Sequence, residues 1–186
     1  MFFSLRQEKS SKSIEYSRGC ESMKATRMRT LSKKTQYTLR ALYALARSYG
    51  QGPTLIAKLA KEESIPQDFL ENILLSMKRE GLVESKKGKG GGYSLVQAPD
   101  KLTIGTVVRL MEGPLALLPC ASETSYRKCD ECVDDRFCGT RMLMRQVRDA
   151  TAAILDRTTL AQVCRQMDDA RAHVEAEEGQ ALMYYI

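Results

Sequence analysis

The sequence predicts a mainly α-helical chain that carries one small β-hairpin and continues into a long amphipathic helix. Three observations carry that prediction. Apolar residues recur at helical spacing in three successive segments between residues 32 and 80. A run of lysine and glycine, Lys86-Lys87-Gly88-Lys89-Gly90-Gly91-Gly92, separates two short strand-like pieces, Leu82–Ser85 and Tyr93–Val96. Within Thr140–Asp156, Leu143, Val147, Ala150 and Ile154 are spaced four, three and four apart, which is the seam of a coiled coil.

The chain has 186 residues, a net charge of +6 and a hydrophobic fraction of 43%. That length suits one domain of ordinary size, or a small domain with an appended element. No run approaches the roughly 18 apolar residues of a membrane helix. Arg6, Glu8 and Lys9 interrupt the apolar opening Met1-Phe2-Phe3-Ser4-Leu5, so it lacks the core of a secretory signal. A cytoplasmic protein with no membrane partner is expected. The net charge is +4 over residues 1–30, +5 over 31–98 and −3 over 99–186. A basic front and an acidic back suggest a head that meets a polyanion and a tail with another task.

Residues 1–27 are polar, rich in Ser, Lys and Arg, and without periodicity. They read as a disordered basic extension, with a DNA-touching arm as the alternative. Met23 or Met28 is a candidate start, because patterning begins just after them. Residues 32–48 read as a helix capped by Ser32, with Tyr37, Ala41, Ala44, Leu45 and Ser48 on one face. Gly50-Gln51-Gly52-Pro53 breaks it. Thr54 is placed to cap a second helix through Glu63, with Ile56, Leu59 and Ala60 inward. Pro66 suits the first turn of a third helix. Its apolar face is Phe69, Leu70, Ile73, Leu74 and Met77, its polar face is Gln67, Asp68, Glu71, Asn72 and Lys78, and Gly81 ends it. After the hairpin come a helix from Ile104 to Met111, a loop over 113–138, the long helix Thr140–Asp156, and a last helix from about Thr159 to Glu175.

The glycine–lysine run is not a nucleotide loop. A P-loop needs a lysine followed by Ser or Thr after its second glycine, and none is present. A dinucleotide fingerprint needs a third glycine opening a helix; counted from Gly88, that position is Tyr93, and a strand follows. The tip of a hairpin lying against nucleic acid fits instead. Glycine permits close approach to a sugar–phosphate wall, and Lys86, Lys87 and Lys89 neutralise phosphate and release counterions. Tyr93 and Leu95 would tuck the return strand onto the helices. Three helices followed by such a hairpin make a winged helix-turn-helix, with the third helix entering the major groove by its N-terminal end.

Four of the six cysteines fall in one loop: Cys120, Cys129, Cys132 and Cys138. In a chain without an export signal this clustering points to metal or redox chemistry rather than disulfides. Thiolates in one loop hold either zinc or an iron–sulfur cluster. Asp130, Glu131, Asp134 and Asp135 are expected to raise the pKa of metal-free thiols, which disfavours a bare reactive-thiol sensor. Cys164, near Leu160 and Val163, reads as a core residue, and Cys20 as incidental. The chain's one histidine, His173, is far from the loop, and no catalytic constellation is present, so an enzyme is not expected.

The segments MRTLSKKTQYTLRALYALA, IPQDFLENILLSMKREGLVESKKGKGGGYSL and the cysteine loop resemble the bacterial winged-helix regulator family of IscR, NsrR and CymR (the Rrf-two family). The resemblance covers roughly residues 28–165, and GLVESKKGKGGGYSL is its most specific part. It implies a dimeric transcription regulator that binds palindromic promoter sites in double-stranded DNA. It implies base contacts from Gln67, Asp68 and Glu71, although Asp68 and Glu71 also complement the helix dipole. It places Lys87, Gly88 and Lys89 in the minor groove, with Lys86 beside them. Tyr37 completes the candidate DNA-contact set. Cys120, Cys138 and either Cys129 or Cys132 match the cluster ligands of the family, which implies an iron–sulfur cluster, 2Fe-2S, with four-cysteine zinc as the alternative. Some relatives carry a histidine three residues after the last cysteine, where this chain has Arg141. The expected organisation is therefore a basic extension (1–27), a winged-helix domain (28–112), a sensor loop (113–138), dimerisation helices (139–176) and a tail (177–186). The alternative is a regulator with structural zinc or metal-free cysteines, controlled by docking to a protein partner.

Overall fold

The computed structural model describes residues 31–130 and 132–183, with side chains as far as residue 177. The basic extension, the candidate starts, Cys20, Glu131 and the end of the tail lie outside the described residues. The order of elements is α1 (Lys33–Arg47), α2 (Ile56–Glu62), α3 (Gln67–Arg79), β1 (Val83–Lys86), β2 (Gly92–Leu95), α4 (Ile104–Glu112), a 3-10 turn (Pro119–Ala121), α5 (Gly139–Arg157) and α6 (Leu160–Met183). The mainly helical class with a two-stranded antiparallel wing is as the sequence predicts.

Helix α1 is the centre of the head, touched by α3, α4, α6 and β2. Ser32 caps it, its hydroxyl accepting from the Thr35 N–H at 3.2 Å. The buried face is Thr35, Thr38, Ala41, Leu42 and Leu45, turned from the expected one: Tyr37, Ala44 and Ser48 are half-buried. Packing on several sides covers two adjacent ridges, and the small threonines fit because their hydroxyls are paired; Thr38 donates to the Lys34 carbonyl at 2.8 Å. Leu42, Leu59, Leu70 and Leu74 are fully buried around this helix. Each such side chain contributes about 1.5–3 kcal/mol of transfer free energy.

Thr54 does not cap α2, which starts without a side-chain cap. Its backbone pairs with Tyr93 instead, donating at 2.8 Å and accepting at 2.9 Å, and so adds a short third rung to the wing. The adjacent Gly92 has φ +150°, and a Cβ there would lie 2.2 Å from the Thr54 carbonyl oxygen, so this contact requires glycine. The strands are offset by one residue from expectation. Val83 pairs with Leu95 and Lys86 with Gly92. That register buries Val83 and Leu95 together and leaves the Ser94 hydroxyl donating to Glu84 at 3.1 Å on the outer face.

Thr103 caps α4, accepting from the Thr106 N–H at 3.2 Å. Helix α5 crosses it closely: Arg109 clamps Asp156 with Nη1–Oδ1 at 2.5 Å and Nη2–Oδ2 at 2.9 Å. Gly105 makes room, since a Cβ there would meet Asp156 Oδ1 at 1.9 Å. Helix α6 runs to Met183, longer than expected, and its first turns belong to the head. Leu160 is fully buried and Cys164 lies in the core, with Asp168 ion-paired to Arg47 at 3.6 Å. Among the described residues the α5 seam is left uncovered: Leu143 is 55% and Ile154 66% exposed, and Val147 is exposed beside them. Among the described residues no helix is long and apolar enough to cross a membrane.

Candidate nucleic-acid interface and cysteine loop

Helix α3 starts at Gln67 because Pro66 cannot donate a backbone hydrogen bond and has a fixed φ. Gln67, Asp68 and Glu71 are exposed at its N-terminal end, where Asp68 complements the helix dipole. Asn72 donates to the Asp68 carbonyl at 2.9 Å. Further along, Lys78 Nζ donates to the Ser85 hydroxyl at 2.6 Å and ties α3 to the wing. Lys86, Lys87, Gly88 and Lys89 are exposed at the wing tip, which is closed by a hydrogen bond from Gly91 N–H to the Gly88 carbonyl at 2.9 Å. Tyr37 differs from the others. Its half-buried ring meets Phe69 edge-on at 5.6 Å between centroids, and the Arg40 guanidinium lies 5.7 Å from it. Phe69, expected in the core, is 39% exposed because this pair sits at the rim.

In the loop, Cys120 is buried within the 3-10 turn, Cys129 is exposed, and Cys132 and Cys138 are half-buried. Cys120 and Cys129 are brought together, with their sulfurs 3.5 Å apart. Cys138 is the N-cap of α5, and its sulfur accepts from the Arg141 N–H at 3.5 Å. Among the described residues, no three Cys, His, Asp or Glu side chains gather closely enough to hold one metal ion. The Cys129 thiol is pushed up in pKa, first by its hydrogen bond to Cys120, then by desolvation and by the charges of Cys120 and Cys138. Desolvation and then Cys138 push Cys132 up. As expected, acidic neighbours add to the rise, Asp130 at Cys129 and Asp135 at Cys132, each as the smallest of the causes. The Asp134 carboxylate is held down by hydrogen bonds from Arg136, and that of Asp135 by the Tyr126 hydroxyl.

Four soft thiol donors in one loop suit an iron–sulfur cluster or zinc. The 3.5 Å sulfur separation is close to the roughly 3.8 Å edge between two thiolates on one tetrahedral metal with bonds of about 2.3 Å. The donor set therefore fits such a group, with two of its members already together.

Two arginines on α5 hold the loop; from the sequence Arg141 stands out only as the residue in place of a relative's histidine, and Arg148 not at all. Arg141 Nε donates to the Cys120 carbonyl at 2.9 Å and Nη1 to the Asp135 carbonyl at 3.1 Å. Arg148, buried at 8% exposure, donates to the Ala121 carbonyl at 2.6 Å and lies 3.5 Å from Glu123. Their spacing of seven on the helix after the loop was the available signal.

The family model described as Rrf2, iron-dependent transcriptional regulator, matches residues 31–166. CymR of Bacillus subtilis is 31% identical over 84% of this chain and 99% of its own. Its solved structure, of the global cysteine regulator of that organism, superposes with a TM-score of 0.63 at 29% identity, covering 75% of this chain and 98% of that one. NsrR of Geobacillus kaustophilus is 29% identical over 80% of this chain and 99% of its own. The structure of T. potens IscR gives a TM-score of 0.61 at 26% identity, covering 76% of this chain and 90% of that one. These relatives are transcriptional regulators, not enzymes. The winged head, the loop and the long helix fall within the matched span, and the chain belongs to the Rrf2 family of transcriptional regulators.

Proposed function

We propose that the protein is a homodimeric, sequence-specific DNA-binding regulator that reads a palindromic operator and responds to iron–sulfur status or redox and nitrosative stress through its cysteine loop. One observation carries this reading: Cys138 caps the same helix, α5, whose apolar seam Leu143, Val147 and Ile154 is exposed. A second copy covers that seam, so the order of the thiol loop and the placement of the two heads share one helix. Half-sites on duplex DNA are spaced by the helical repeat, so a small tilt of one head against the other changes the fit.

In each head, Gln67, Asp68 and Glu71 face base edges from the start of α3. Lys86, Lys87 and Lys89 neutralise phosphate, and Gly88 lets the wing approach the backbone closely. Tyr37, braced by Phe69, flanks the base-reading end of α3. Cys120, Cys138 and one or both of Cys129 and Cys132 hold the cluster, 2Fe-2S. When bound, such a cluster supplies a redox-responsive centre whose charge differs between states. Structural zinc or metal-free thiols, with control by a docked protein, is the second reading. The Cys138 sulfur, already engaged by the Arg141 N–H at 3.5 Å as the cap of α5, favours it.

The test is selection of bound duplexes from a random pool, with the mass of the complex measured by light scattering. The expected result is a palindromic consensus bound by two copies. Binding without sequence preference, or by a single copy, contradicts the reading.

A further inference from the structure

We propose that Arg141 is the positioning residue of the cysteine loop, a fork that grips both arms of the loop and fixes them to the first turn of α5. This rests on the cysteine-loop reading above and deepens it. The side chain is 22% exposed and reaches the loop at several separate points. Nε donates to the carbonyl of Cys120 on the outgoing arm at 2.9 Å. Nη1 donates to the carbonyl of Asp135 on the returning arm at 3.1 Å and lies 3.6 Å from its carboxylate. The guanidinium stands 5.3 Å from the ring centroid of Tyr126, whose hydroxyl donates to Asp135 Oδ2 at 2.5 Å. The backbone N–H of Arg141 itself caps onto the Cys138 sulfur at 3.5 Å.

The chemistry calls for arginine. A planar guanidinium presents donors in fixed directions and stacks on an aromatic face while both edges stay bonded; a lysine ammonium supplies one charge on a flexible stem. Arg148, two turns on, braces the Cys120 arm alone through Ala121 and Glu123, whereas Arg141 spans both arms. The arch that carries Cys129 and Cys132 is thereby closed at its base. Gathering its thiols toward Cys120 and Cys138 then costs less chain entropy than in a free loop.

The experiment is alkylation of the reduced, metal-stripped full chain by iodoacetamide, with the rate at each cysteine read by peptide mass spectrometry. Cys120 is 4% and Cys164 8% exposed, so both label through opening of the structure. Arg141→Ala is expected to speed Cys120 labelling about tenfold, the loss of a small hydrogen-bond network, and to leave Cys164, in the head core, unchanged. Arg141→Lys falls between. Arg145→Ala, which removes the same charge one turn along, behaves as wild type. An unchanged Cys120 rate in Arg141→Ala overturns the proposal. So does a joint rise at Cys120 and Cys164, which is general destabilisation, or an equal effect of Arg145→Ala. A wild-type rate in Arg141→Lys assigns the role to charge and overturns the fork. The readout needs no metal, so it stands apart from whether the loop holds a cluster.

Discussion

The Glu112 carboxylate accepts a hydrogen bond from the Ser32 backbone N–H at 2.7 Å, although 80 positions separate them. It also accepts from the hydroxyl of Thr35, which is fully buried. The last residue of α4 thus caps the start of α1, satisfying the Ser32 N–H and placing negative charge at a helix N-terminus. The chain leaves α4 at the next residue, Gly113, and enters the cysteine loop.

These contacts predict a pH dependence. The Thr35 hydroxyl first, then Ser32, hold the Glu112 pKa below its ordinary value of 4.5. A carboxylate depressed in the folded state contributes stability above its unfolded pKa and loses it as pH falls through the folded value. Glu112→Gln is expected to lower stability by about 0.5–1 kcal/mol at pH 7, the scale of a capping bond. Urea unfolding checks it. The difference from wild type should shrink as the pH drops below 4.5; a difference constant with pH contradicts the capping role.

Lys87 and Lys89 are exposed at the wing tip. Replacing both with alanine is expected to weaken operator binding and to flatten the slope of log affinity against log salt by up to about 2, since each phosphate contact contributes about 0.9. Fluorescence anisotropy across a salt series measures this. An unchanged slope means that the wing does not meet phosphate.

The α5 seam predicts the assembly. Ile154 is 66% exposed and Leu143 55%, and a charge introduced into a seam that a second copy covers is desolvated at a cost of several kcal/mol. Ile154→Asp is expected to sediment as a monomer, with the helical content of the head retained. Sedimentation identical to wild type contradicts a dimer through this face.

What was legible in the sequence were features with local causes. Pro66, the apolar spacing of Leu70, Ile73, Leu74 and Met77, and the glycine-lysine turn specify α3 and the wing on their own. The departures all have long-range causes. Thr54 is a good cap by composition, but its backbone is taken by Tyr93, 39 positions on, in an isolated bridge. The buried face of α1 is turned because α4 and α6 also press on it. The loop cysteines were found by spacing. Their anchors were not, because Arg141 and Arg148 bind backbone carbonyls of Cys120, Asp135 and Ala121, which carry no side-chain signal.

The most direct measurement is the ultraviolet–visible spectrum of protein purified without oxygen, with iron, sulfide and zinc assayed on the same sample and operator affinity measured before and after cluster removal. The expected result is visible charge-transfer bands with iron and sulfide, lost in Cys138→Ala, and an operator affinity that changes with them. A colourless protein that holds zinc, or no metal after reconstitution, contradicts a cluster in the loop and leaves the winged head to act under another signal.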